Sequence, residues 1–305
     1  MKNMKVPALK ILFAIILLNY SCKKPEEQKA LLAIKTQTTQ EKIPQPLSKQ
    51  FKDYWYAGDA EITSYALEQA RYGELRSGTA VLIYVTEELL PQVQVKADNA
   101  NPTNVPVLKL NATKKFNTGI YPYSIMQSTF YPVANNSHAL KVSSSMQEWC
   151  GHVYAQLNNR NDFEITSHSY FQGEADENFK MDKAILENEL WTQLRIDPKS
   201  LPIGNISIVP ALEFIRMKHL ALKPYKANAK LNNNSYTIVY EELNRTLTIN
   251  FNPTFPFDIS SWEETFNSGG KILTSKATRL KTIKTPYWQK NSNAYEVLRD
   301  TLRLK

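Results

Sequence analysis

AEITSYALEQARYGELRSGTAVLIYVTE, residues 60–87, decides the fold. Residues 60–72 and 80–87 read as two strands joined across Gly73-Glu-Leu-Arg-Ser-Gly78, because β-branched and aromatic side chains fill the runs and glycines punctuate the join. The second run, Ala80-Val-Leu-Ile-Tyr-Val85, is apolar on both faces, which places it at the centre of a sheet.

Working outward, further strands are predicted over 92–97, 105–116, 120–131, 139–146, 150–157 and 163–171. Asp182 is expected to cap an amphipathic helix with Leu186, Leu190, Trp191 and Leu194 on one face, ended by Asp197-Pro198. Strands follow over 205–209, 236–241, 246–251, 262–266 and 272–284. A short C-terminal helix after Asn291-Ser292 turns Tyr295, Leu298 and Leu302 inwards. The fold class is mainly β: one strongly curved antiparallel sheet, half-barrel-like, with one mid-chain helix and a short C-terminal helix. Strand runs on both sides of the mid-chain helix leave two lobes meeting near 182–200 as the other arrangement. Residues 50–305 form the β-rich domain, and 22–49, polar and rich in Gln, Thr, Lys and Pro, reads as a flexible tether.

Composition narrows the function. Hydrophobic content of 42% and aromatic content of 11% are globular values. Only nine glycines occur, and neither a dinucleotide nor a P-loop glycine pattern is present, which argues against a nucleotide cradle. The formal charge of +8 is uneven: residues 201–305 hold fifteen Lys/Arg against eight Asp/Glu. Such a basic third fits an anionic lipid or acidic glycan, or simply a solvated face.

The first residues set the compartment. Lys2, Lys5 and Lys10 precede the apolar run Ile11 to Leu18, too short to cross a hydrocarbon core that needs about 20 helical residues. Ser21 then stands before Cys22. This layout resembles a bacterial lipoprotein signal, which implies cleavage after residue 21, acylation of Cys22 and residence at the outer membrane. Lys23-Lys-Pro-Glu-Glu27 is similar to the export tags of Bacteroidota surface lipoproteins. For an exported protein, nucleic acid is not an expected partner. The partners expected are the membrane through Cys22, and an anionic lipid, a glycan or an envelope protein.

One local string carries chemistry-bearing side chains. In Gln147-Glu-Trp-Cys-Gly-His152 and the strand after it, Cys150, His152, Tyr154 and Gln156 share one face. Glu164, Thr166, His168 and Tyr170 share the matching face of the next strand. If Leu157 pairs with Phe163, His152 faces His168 and Cys150 faces Tyr170. Cys150 could then be a thiol nucleophile with His152 or His168, the two histidines with Glu164 an incomplete metal set, or the whole face a solvated surface. Tyr154, Tyr170 and Glu164 are candidate binding residues of this patch. Gly173-Glu-Ala-Asp-Glu177 lacks the oxygens of a calcium loop and reads as a solvated turn. Residues 271–290 hold six Lys/Arg and no acid; alternation with Thr predicts an exposed charged edge strand, with Lys276, Arg279, Lys281 and Lys284 as anion-binding candidates. No metal site or cofactor is expected.

Residues 59–88, with GIYPY at 119–123 and QEWCGH at 147–152, resemble an uncharacterised family of Bacteroidota lipoproteins, some of whose members bear the label septum formation inhibitor Maf. The Ser-x-Arg-Arg string of Maf pyrophosphatases is absent here, so the resemblance supplies no catalytic residue. The function expected is a non-enzymatic binding or structural role at the cell envelope, toward lipid, glycan or protein. The alternative is a thiol-dependent hydrolase or transferase.

Overall fold

The computed structural model describes residues 46–134 and 137–304. The expected export signal, Cys22 and the expected tether as far as residue 45 lie outside the described residues. The described residues make one compact unit.

Ser48 caps α1 (Lys49–Trp55), its side chain accepting from Phe51 N–H. Strand β1 (Ala60–Arg71) turns through Tyr72 and Gly73 into β2 (Glu74–Leu90). Both turn residues have positive φ, the signature of a two-residue hairpin whose twist matches its strands. Residues 74–78, expected in the join, therefore belong to the strand. The short β3 (Val95–Lys96), far less than the strand expected over 92–97, pairs only with β2.

From β2 the chain meanders through β4 (Val105–Thr118), β5 (Tyr121–Pro132), β6 (Lys141–Glu148), β7 (Gly151–Asn159), β8 (Phe163–Ser169) and β9 (Glu177–Met181). It then crosses to the other edge of the sheet. There β10 (Ile185–Leu186) lies parallel to β11 (Gly204–Val209). A second meander, β12 (Tyr225–Leu231), β13 (Ser235–Tyr240), β14 (Arg245–Phe251), β15 (Ile259–Ser268) and β16 (Lys271–Thr285), runs back to the centre and pairs with β1. The result is one 16-stranded sheet whose outermost strands, β9 and β10, are not paired with each other. The mainly-β, curved, half-barrel-like expectation is what the chain adopts.

Alternating burial explains the curvature. Strand β14 alternates buried and half-buried residues along its whole length. Leu110, Ile125, Ile238, Ile249 and Trp262 project into one core around two helices. These are α2 (Glu187–Ile196) and α3 (Leu212–Lys218). Helix α2 starts five residues after Asp182, with Leu186 N–H donating to Glu189, and ends at Asp197 as expected. The sequence reading missed α3, because a short helix buried on nearly every side shows no amphipathic stripe. Strands β9 and β12 were also unassigned, since polar residues occupy their exposed faces.

The apolar character of β2 on both faces has a physical cause. Leu82 and Tyr84 enter the concave core. Val81, Ile83 and Val85 instead meet the C-terminal segment, where Leu302 and Leu304 pack on the convex face. The last helix, α4 (Val297–Thr301), leads into Leu302 and has no buried residue of its own. Leu302 is buried as expected, but Tyr295 is exposed and lies beneath the Lys290 ammonium. A further correction concerns β16. It pairs on both sides, with β15 and β1, so it is an inner strand and not an edge. Alternation reports which face is wet; it carries no information on lateral neighbours.

Candidate functional site

The polar patch on β7 and β8 lies on the outer surface. Its hairpin register differs from the expected one by two residues: Leu157 faces Ile165, Tyr154 faces His168 and Asn159 faces Phe163. The loop is shorter than Asn158–Asp162 because Asn158 and Asn159 continue the ladder. A shift of two keeps every side chain on its face, but His152 and His168 are no longer opposed. His168 turns to Asp176 at 3.3 Å, and Glu164 bridges Arg160 and Lys180 at 3.1 and 3.2 Å. Tyr154 donates to Gln156 at 2.7 Å.

Cys150 sits exposed in the β6–β7 turn, its N–H bound to Glu148. Glu148 pushes the thiol above its usual range, with a smaller opposing pull from the Tyr170 phenol. That is the reverse of the depression an activated nucleophile needs. Tyr170 lies across Gly151, where a Cβ would come within 2.5 Å of its ring.

The cations of β16 are largely occupied. Lys276 pairs with Glu263 at 3.0 Å, and Arg279 pairs with Asp258. Lys284 donates to the Tyr54 carbonyl and covers its ring. Lys281 is exposed.

Inside the sheet lie charges that the sequence reading did not single out. Arg195 from α2 holds Glu61 of β1 through two bonds of 2.7 Å, between the Trp55 and Tyr84 rings. Burial pushes the Glu61 carboxyl up, but Arg195 outweighs it and leaves the group below its ordinary value. Farther along, Arg245 of β14 grips Glu187 and Glu264, while Tyr240 donates to Glu187 at 2.6 Å. Lys114 and Gln127 donate to Glu213 at 2.8 and 2.9 Å. Burial raises Glu213, against the pull of Lys114. This network surrounds a cavity of about 50 Å³. Such a void suits a few waters and is far below the several hundred Å³ of a usual ligand pocket. Each acid already holds a cation or a strong donor, so the network works as the polar strut of the core. No metal-ligating cluster occurs among the described residues.

A larger space opens where β7 to β9 face α3. This cleft has a volume of about 800 Å³. Val153, Ala155, Phe179, Leu212, Ile215, Leu220 and Leu222 form an apolar lining. Glu174, Asp176, Glu177, Arg216 and His219 stand around it. Glu174 accepts from Arg216 at 3.1 Å, is 2.7 Å from His219 Nδ1, and accepts from Ser169 at 2.7 Å. The loop read as a solvated turn is therefore one wall of the cleft. Arg216 stacks on Phe171, and its Nε is buried without a hydrogen-bond partner. The signal that could have located this site is Ala211-Leu-Glu-Phe-Ile-Arg-Met-Lys-His219, an apolar run ending in a cation and an imidazole three residues apart, the imidazole on the left-handed residue that closes the helix.

A run of aromatic residues, exposed at Tyr72, Trp149 and Tyr170, leads to the cleft along one rim. Tyr72 and Tyr123 join hydroxyls at 2.9 Å, Tyr121 packs against both Tyr123 and Trp149, and Tyr170 packs on Phe171, which meets His219. Of the sequence-derived candidates, only Tyr170 belongs to this run.

No family model matches the chain, and no curated protein matches it. Among solved structures, a beta-barrel-like protein of domain of unknown function DUF1849 from Brucella abortus aligns at 7% identity, over 74% of this chain and 98% of that one, with a TM-score of 0.39. The fold described above rests on the strand pairing and not on that likeness. No helix among the described residues is long and apolar enough to cross a membrane, which says nothing of spanning by strands.

Proposed function

We propose that this chain is a non-enzymatic binding protein of the cell envelope that takes the acyl chain of an amphiphile into the cleft between β7–β9 and α3. The observation that carries this reading is the open 800 Å³ cleft beneath the unpaired edge of the sheet, apolar where Val153, Phe179, Leu212, Ile215 and Leu220 line it and polar along residues 173–178. Its size falls in the range of small-molecule sites, and Arg216 and His219 stand at its edge, where a carboxylate or ester head would lie. The sequence of the first 22 residues supports a signal peptide, an acylated Cys22 and a place on the outer membrane. The raised thiol of Cys150 weighs against the hydrolase or transferase reading.

A dansyl-labelled fatty acid tests the cleft. Saturable binding is expected, weakened roughly tenfold or more by Phe179→Asp or Leu220→Asp, because a buried carboxylate cannot share space with an acyl chain. Absent binding, or binding indifferent to both substitutions, would overturn the reading. Anchoring is tested separately by palmitate-analogue labelling in cells, expected for the native chain and lost in Cys22→Ala.

A further inference from the structure

The ladder register brings separate turns to one end of the sheet. Arg71 faces Glu74, Gly78 faces Phe116, Ser124 faces Gln147, Val153 faces Ser169 and Glu68 faces Lys276. The turns at 72–73, 119–120, 149–150 and 269–270, with the 170–176 loop, therefore share one rim. Each contributes a large exposed apolar or aromatic side chain at or beside it: Tyr72 (54%), Ile120 (81%), Trp149 (67%), Tyr170 (54%) and Ile272 (64%). An isolated exposed hydrophobe needs no explanation; one at each of these five turns and loops does, although the 241–244 turn at the same end carries none.

We propose that this rim docks on the surface of a zwitterionic lipid bilayer, seating the mouth of the cleft against the headgroups. Three observations select lipid as the occupant. Trp and Tyr carry an apolar body and a polar tip, the combination that settles at the membrane–water boundary. The two outermost aliphatic tips, Ile120 and Ile272, give a sugar ring nothing flat to stack on, whereas acyl chains accept them at the cost of little more than dehydration. Charge complementarity points to a neutral surface at the aromatic-bearing turns: Glu74 pairs with Arg76 and Glu174 with Arg216, so these acids hold their own cations. The 170–176 loop joins the rim to the cleft, since Glu174 lines one and Tyr170 belongs to the other. Docking itself needs no occupied cleft; its purpose, ligand exchange with a bilayer, rests on the reading that the cleft holds an amphiphile.

Trp149 supplies the probe. With Trp288, the other exposed tryptophan, replaced by Phe, the full-length protein is mixed with phosphatidylcholine vesicles bearing brominated acyl chains. A blue shift and quenching of Trp149 emission are expected. Each of Ile120→Ser and Ile272→Ser should weaken that quenched state roughly tenfold, from the apolar area withdrawn. Unquenched Trp149 would overturn docking, as would quenching that neither isoleucine substitution alters. A blue shift produced by a soluble oligosaccharide and not by vesicles would overturn it in favour of a glycan rail. The dansyl fatty acid should bind the Ile→Ser variants normally in vesicle-free buffer, so failure of docking and failure of the cleft reading are separately visible.

Discussion

Arg195 and Glu61 show how much of this core depends on two side chains meeting. Each is about 1% exposed, and neither can be dehydrated alone. Arg195→Met strands a carboxylate in the interior and should lower unfolding free energy by roughly 3–5 kcal/mol in urea titration. The pair also sets a pH dependence. Glu61 titrates at about 4.5 when unfolded, and Arg195 holds it lower in the fold. The stabilisation is therefore complete above that value and drains away as pH falls through the folded one. Glu61→Gln should flatten the acid limb of a melting-temperature profile while lowering its plateau. None of this was legible beforehand. Residue type and helical phase put Leu190 and Leu194 inside, and they are inside; that Arg195 is equally buried depends on a partner 134 positions away, which no local pattern encodes.

At the level of elements, the hairpins illustrate what short-range chemistry can specify. Gly269 and Gly270 both take positive φ in the β15–β16 turn, and a Cβ on Gly269 would come within 2.7 Å of Gly73 N in the neighbouring turn. Gly269→Ala should cost about 1–3 kcal/mol, seen as a lower midpoint in thermal melting, from strain added to a clash. Long alternating runs such as β4, β5 and β14 were readable because one face is buried along their length. Short elements were not: α3 and β12 became helix and strand through the surfaces they cover. The binding candidates on β7 and β8 kept the expected face and lost the expected opposition, because the turn is tighter than its Asn-rich sequence implied. The convex cover makes its own forecast. Leu302→Asp should loosen the C-terminal segment from Val81, Ile83 and Val85 and raise dye binding to exposed apolar surface, with the interior network intact.

Across the whole molecule, the sheet is assembled from two meanders that meet where β1 joins β16. Thr63 and Thr282 face one another there, their hydroxyls 2.9 Å apart. A Thr63→Cys/Thr282→Cys disulfide would close a loop of more than 200 residues and should add about 3–5 kcal/mol, removed by reductant in a urea titration. The global architecture was legible as a curved sheet because strand runs outnumber helical ones throughout. The cleft was not, since it arises between β7–β9 and the α3 segment, which only folding brings together.

That central seam also bears on how the protein comes into being. Lys114 and Glu187 are synthesised long before Arg245 and Glu264, the side chains that complete their surroundings. Until the ribosome has delivered nearly the last strand, the earlier portion has charges it cannot hide and a first strand lacking one neighbour. A half-made polypeptide of this kind has every reason to stay open, a delay that would suit threading through a narrow channel under the export proposed above.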